Sequence, residues 1–246
     1  SSGQVSTEAG NPGGDYEHAD TGDVVHLWRY SERPAAEDQC GKLHLGPSRV
    51  GGGATSRPPI IPSQIRDAVP PTRRAFAFRA GNQDKFRSHN DADPESDALR
   101  TLMLAGDFTI EAYVQSNDWA SIDTIFAAFG AGGEAESATR VIIVGCNADR
   151  IRVFWERGAG IDEESLSPVV FTERMETPWH HVAVTVADAG GGLRDVEYFM
   201  KGESAGTTLG VTAASGGDDP TGGAIVGSTV PEVSAAENWD GGIAEV

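Results

Sequence analysis

Short segments of alternating apolar and polar residues follow one another along this chain, with glycine, aspartate, asparagine and proline clusters between them. In FTIEAYVQ, Phe108, Ile110, Ala112 and Val114 alternate with Thr109, Glu111, Tyr113 and Gln115. That period of two marks a strand with one buried face. HHVAVTVA sets Val182, Val184 and Val186 against His181, Ala183 and Thr185. RIRVFWE sets Ile151, Val153 and Trp155 against Arg150, Arg152 and Phe154. Further strands are expected at VVHLWRYSE from Val24, RRAFAFRA (73–80), TIFAAFG from Thr124, RVIIVGC from Arg140, DVEYFMKGES from Asp195, GGAIVGS from Gly222 and WDGGIAEV from Trp239. A helical period of 3.6 never persists beyond about two turns; DPESDALRTLM (93–103) is the best short-helix candidate. Many short strands with turn signals between them predict an all-β antiparallel sandwich. Phe108, Ile110, Val114, Val153, Val182, Val184 and Val186 should face between its sheets.

Two stretches depart from this pattern. Residues 1–23 are polar and glycine-rich and read as a flexible arm. Residues 46–72 hold three consecutive glycines and several prolines, a long excursion from the domain spanning 24–246. Its Ile60-Ile61 pair is apolar, but the neighbouring prolines bar it from a central strand. It would strap its own sandwich or dock on a neighbouring subunit.

Charge removes some functions. The 246 residues carry 19 Lys+Arg against 37 Asp+Glu, a net charge of −18. A chain this acidic repels phosphate backbones, so nucleic acid is not an expected partner. No apolar run approaches the ~20 residues of a membrane span. The two cysteines, Cys40 and Cys146, cannot build a thiolate zinc site. They could form one long-range disulfide in a secreted protein, or stand as unpaired small hydrophobes.

The order of segments carries a resemblance. GDFTIEAYVQ (106–115), TIFAAFG, the Trp179–Ala183 run WHHVA, AIVGS (224–228) and the closing DGGIAEV (240–246) occur together. In this respect the chain resembles the LamG-like jelly-roll group of the concanavalin A-like lectin/glucanase superfamily. LRDVEYFMKGE resembles that group's hairpin strand ending in Asp-Gly, with Lys201 in place of the Asp. The resemblance implies a jelly-roll β-sandwich of two curved antiparallel sheets. That superfold hosts lectins, adhesion modules, calcium binders, glycosidases and virion proteins, so function has to be read from the site.

Hydrolysis finds little support in the residues. A retaining glycosidase needs two carboxyls ~5–5.5 Å apart. The superfamily's glucanases carry them as E-x-D-x-x-E, which is absent here. Asp195 and Glu197 share a strand face, but Phe199 stands where a third acid belongs. Asp162, Glu163 and Glu164 read as a polar loop. His180 fits the family signature as a packed residue. Calcium is the one metal the sequence suggests. NDADPESD sets Asp91, Asp93, Glu95 and Asp97 at alternate positions, and oxygen ligands crowded in a loop suit calcium. Ser96 stands where an EF-hand needs glycine, and a solvated, proline-broken turn is the alternative.

Sugar binding would use aromatic faces. Trp28, Trp155, Trp179 and Trp239 lie in or beside strand patterns and read as core. Trp119 lies in the polar loop SNDWASID beside Asn117 and Asp118, which makes these three the candidate ligand contacts; a Trp119 folded back over the sandwich edge is the alternative. The expected function is a non-catalytic extracellular binding or adhesion module with a glycan as favoured ligand. The alternative is a structural virion or surface-assembly subunit, such as a capsid decoration or tail component, held by its arms. A diverged glycosidase comes third. Expected partners are therefore a surface glycan or neighbouring subunits, a homo-oligomer included, on a cell or particle surface.

Overall fold

A computed structural model describes residues 28–30, 36–38, 45–47, 60–62, 74–82, 84–88, 99, 107–119, 121–129, 140–147, 149–157, 161–168, 179–212, 223–228 and 237–246. The described strands are β1 (Trp28–Tyr30), β2 (Ala36–Asp38), β3 (Leu45–Pro47), β4 (Ile60–Pro62), β5 (Arg74–Phe78), β6 (Phe86–Ser88), β7 (Phe108–Ser116) and β8 (Asp123–Phe129). They continue with β9 (Arg140–Asn147), β10 (Arg150–Arg157), β11 (Ile161–Leu166), β12 (His180–Gly190), β13 (Leu193–Met200), β14 (Glu203–Thr212), β15 (Gly223–Val226) and β16 (Gly241–Glu245). Hydrogen bonding runs in one order, β11-β10-β9-β8-β15-β6-β3-β2-β1-β16-β7-β12-β13-β14, with β5 also on β16 and β4 on β5. Every one of these strand pairings is antiparallel.

This ribbon doubles over its own apolar face. Phe126, Ile151, Val153 and Trp155 from one half share a single core with Val114, Val182, Val184, Val186, Val196, Tyr198 and Ile243 from the other. The protein is an all-β antiparallel sandwich. The predicted register holds: Phe108, Val114, Val153, Val182, Val184 and Val186 are buried, and Ile110 packs half-buried against them. Where the ribbon's two ends meet, the Tyr198 hydroxyl on β13 hydrogen-bonds the Ser165 hydroxyl on β11. A Cβ on Gly206 of β14 would lie 2.6 Å from the Pro168 ring. Each end strand therefore shields the other's edge from foreign strands.

Two expectations change. Asp162, Glu163 and Glu164 are not in a loop but in β11, paired along β10 from Arg152↔Leu166 to Arg157↔Ile161. Their acidity hid the strand, in which Glu164 serves a basic neighbour: Arg152 is buried, with its Nε 2.7 Å from Glu164 and its Nη1 3.3 Å from Glu237. Arg152 and Phe154, placed on a solvated face by alternation, are both covered, and the guanidinium lies 4.6 Å over the Phe154 ring. Ile60 and Ile61 form β4, whose one partner among the described strands is β5 of the same sandwich, an edge place that proline tolerates. The arm 1–23 and most of the segments 46–72 and 93–103 lie outside the described residues. No helix among the described residues is long and apolar enough to cross a membrane.

Candidate functional site

Strand parity decides what the outer face of the β5-β16-β7-β12 layer presents. Val114 and Val182 point into the core, so Thr109, Glu111, Tyr113 and Gln115 on β7 and His181, Ala183 and Thr185 on β12 point outward. Register brings them together: Tyr113 opposes His181, Glu111 opposes Ala183 and Thr109 opposes Thr185. The Tyr113 and His181 rings lie 4.8 Å apart and tilted by 38°. His181 Nε2 is 3.1 Å from Glu111 Oε2, and the Thr109 and Thr185 hydroxyls bond at 3.0 Å.

Trp179 lies on this face. It immediately precedes β12 with the outward parity of His181 and packs half-buried with Tyr113 against Ala75 and Ala244. Its indole reaches over β16, where a Cβ on Gly242 would stand 2.5 Å from the ring's Cη2. Gly242 opposes Gln115 on one side and Ala77 on the other. Small residues thus leave room for a flat indole to lie against the sheet. The expectation that Trp179 packs in the core is corrected. The alternation starting at Val182 already placed Trp179 outward, and the size of the side chain obscured that signal.

Of its two readings, Trp119 takes the packed one. It is only 4% exposed. Its ring meets His180 edge-on at 5.4 Å and Trp239 edge-on at 5.8 Å. Its carbonyl accepts the Asp149 N–H at 3.1 Å. With its faces packed, Trp119 plugs the end of the sandwich instead of offering a ring to solvent. Burial is also the main reason that the neighbouring His180 has its pKa lowered, with the Lys201 charge adding to it. Asn117 and Asp118 remain at the surface above Trp119. Asn117 extends the outward row of β7, its N–H donating to the Asp240 carbonyl at 2.8 Å and its side-chain amide to Asp240 Oδ1 at 3.1 Å. Asp118 accepts the Ser121 hydroxyl at 2.9 Å, and its own N–H donates to Ser116 Oγ at 3.0 Å. From Tyr113 to Asn117 the row spans ~13 Å of strand.

Beneath this rim lies Asp123, 5% exposed, whose Oδ2 has no hydrogen-bond partner among the described residues. Burial, reinforced by the Asp240, Asp118 and Glu237 charges and opposed by the Asp240 backbone N–H, pushes its carboxyl up to about 7. The folded protein therefore keeps a proton between about pH 4 and 7 that the unfolded chain releases. Stability from this group is present at low pH and is lost as pH rises through the folded pKa. Thermal melts should show Asp123→Asn stabilising the chain at pH 8 and much less at pH 5. A variant with an unchanged pH slope would refute the assignment.

The other sequence candidates divide. Asp195 Oδ1 accepts the Gly210 N–H at 2.9 Å, and Glu197 Oε1 accepts the Ser204 hydroxyl at 2.8 Å, so both acids serve the β13-β14 pairing. Cys146 is a free thiol buried in the core, and burial pushes its pKa well up. Cys40, its candidate partner, and the calcium candidates Asp91, Asp93 and Asp97 lie outside the described residues. Among those described, no group of three or more His, Cys, Asp or Glu is arranged to hold a metal ion.

No family model and no curated protein matches the chain. Several solved structures are similar to it in fold. One is the CBM40 of the Ruminococcus gnavus IT-sialidase, at 15% identity and TM-score 0.48, over 70% of this chain and 86% of that one. The same CBM40 has been solved bound to α2,3-sialyllactose. Another is the binding domain of Paraclostridial Mosquitocidal Protein 1, at 11% identity and TM-score 0.49, over 90% of this chain and 47% of that one. A third is the receptor binding domain of botulinum neurotoxin type G, at 10% identity and TM-score 0.48, over 90% and 47%.

Proposed function

We propose that this chain is a non-catalytic glycan-binding module, displayed outside the cell, whose ligand lies on the outer face of the β16-β7-β12 layer. The observation that carries the reading is the Trp179 indole lying over Gly242 beside the Tyr113–His181 ring pair. Sugar rings pack their apolar faces on flat aromatic surfaces and satisfy their hydroxyls on nearby amides and carboxylates. Gln115, Glu111 and the rim pair Asn117–Asp240 supply such groups along one row, with Asp118 at its end. Trp119 supports the rim from below and touches no sugar. The Asp195 and Glu197 carboxylates are engaged by β14, which favours binding over hydrolysis.

The test is binding of the whole chain to an immobilised panel of neutral and acidic oligosaccharides. Trp179→Ala should weaken the best ligand by ~30-fold or more, as loss of a central aromatic contact does. Its melting temperature should change little, because Trp179 lies outside the main core. Undiminished binding by that variant, or no binding by the native chain, would reject the reading.

A further inference from the structure

One lysine stands at the border of this face in a place that its backbone does not favour. The two-residue turn Lys201-Gly202 joins β13 to β14, closed by the Met200–Glu203 pair. Both turn residues have positive φ, +54° and +81°. This is the type I′ hairpin, whose first position favours Asn, Asp or Gly because other side chains crowd the backbone there. Lysine brings nothing to that turn.

Lysine is also scarce. Lys42, Lys85 and Lys201 are the only three in a chain of net charge −18, and Lys85 is buried. Lys201 sits one step beyond the Val182–Met200 pair, its N–H donating to the His181 carbonyl at 2.8 Å. That places it beside His181, at the border of the aromatic cluster. Its side chain is exposed, and its charge is felt at the His180 ring. Several arginines on other elements have carboxylate partners: Arg79 lies on Asp84, Arg194 on Asp188, and Arg152 on Glu164 and Glu237.

We infer that Lys201 is a specificity-determining contact of the glycan face, an ammonium placed to take an anionic substituent, carboxylate or sulfate, on the bound sugar. This rests on reading that face as the glycan site. A solvated ammonium acts as a point charge, so it reads the presence of an anion rather than its shape. Turn geometry and charge thus pull in opposite directions at one residue, which is a common pattern at functional positions.

That opposition supplies the experiment. Lys201→Asn restores a residue suited to the turn and should raise the melting temperature by ~2–4 °C. The same variant should lose ~10-fold or more in binding to the anionic members of the panel. Sialylated, uronate-containing and sulfated oligosaccharides form separate arms that tell carboxylate from sulfate. Lys201→Arg should restore most of the binding, and the native interaction should weaken at high salt while that of Lys201→Asn does not. Native binding confined to neutral glycans, or unchanged anion binding by Lys201→Asn, would overturn the inference while leaving the glycan face intact. A lower melting temperature for Lys201→Asn would make the lysine structural and also overturn it. Failure of the native chain to bind any glycan would reject the reading of the face itself, and this inference with it.

Discussion

Gly241→Ala should leave little folded protein at physiological temperature. Gly241 has φ +149°, a conformation that side-chain-bearing residues rarely adopt, and a Cβ there would lie 1.9 Å from the Gln115 carbonyl oxygen and 2.8 Å from Ser116 Cα. The obstacle is backbone of a neighbouring strand, which cannot rotate away. β16 lies between β5 and β7 at this point, so moving it apart breaks two ladders together. A cost above ~4 kcal/mol is expected, comparable to the whole stability margin of many domains. Circular dichroism and soluble yield would show it directly. Gly242→Ala is the contrast. Its Cβ meets only the tip of the Trp179 indole, a side chain that can swing aside, so the fold should survive with the aromatic face displaced. Equal behaviour of the two variants would contradict this distinction between backbone and side-chain obstruction.

Trp239→Ala should cost ~3–5 kcal/mol, the range for emptying a large aromatic from a packed interior. Trp239 is fully buried, its backbone N–H donates to the Gly227 carbonyl at 3.0 Å, and its ring packs edge-on against Trp119. Truncation would open a hole below the Asn117–Asp240 rim and remove one of the two rings that hold Trp119. The denaturant midpoint should fall sharply, and the fluorescence of Trp119 should shift toward that of a more solvated indole. A midpoint within experimental scatter of the native value would mean that this end of the sandwich repacks freely.

Single strands were legible in the sequence where one face is apolar and the other polar. β7 and β12 declared themselves through Val114 and Val182 and their alternating neighbours. β11 did not, because Glu164 answers Arg152 on the adjacent strand and only register reveals that pairing. β2, β3 and β6 are three residues long, too short for any period to show. The candidate site was half legible. The surface place of Asn117 and Asp118 was legible because a polar loop between two strands is a surface by default. Trp179 left its expected place, and Trp119 took the packed one of its two readings, for a physical reason. A tryptophan in a loop can still fall into an open sandwich end, and one beside a strand can lie flat outside if the strand opposite offers glycine. Gly242, the residue that makes room for Trp179, is remote in sequence, and nothing near Trp179 announces it.

The place of β16 bears on how this molecule can be made. It follows β1 and β5 by well over a hundred residues, yet it lies inside its layer, paired with both of them and with β7. At ~5–20 residues per second, synthesis from β1 to β16 takes roughly 10–40 s. Throughout that time β1 and β5 are in being without the partner that joins them to β7. The layer bearing the aromatic face can close only after β16 has left the ribosome. Pairings between strands so distant in sequence form slowly. The nascent chain must therefore keep its half-built sheet from other strands until β16 arrives.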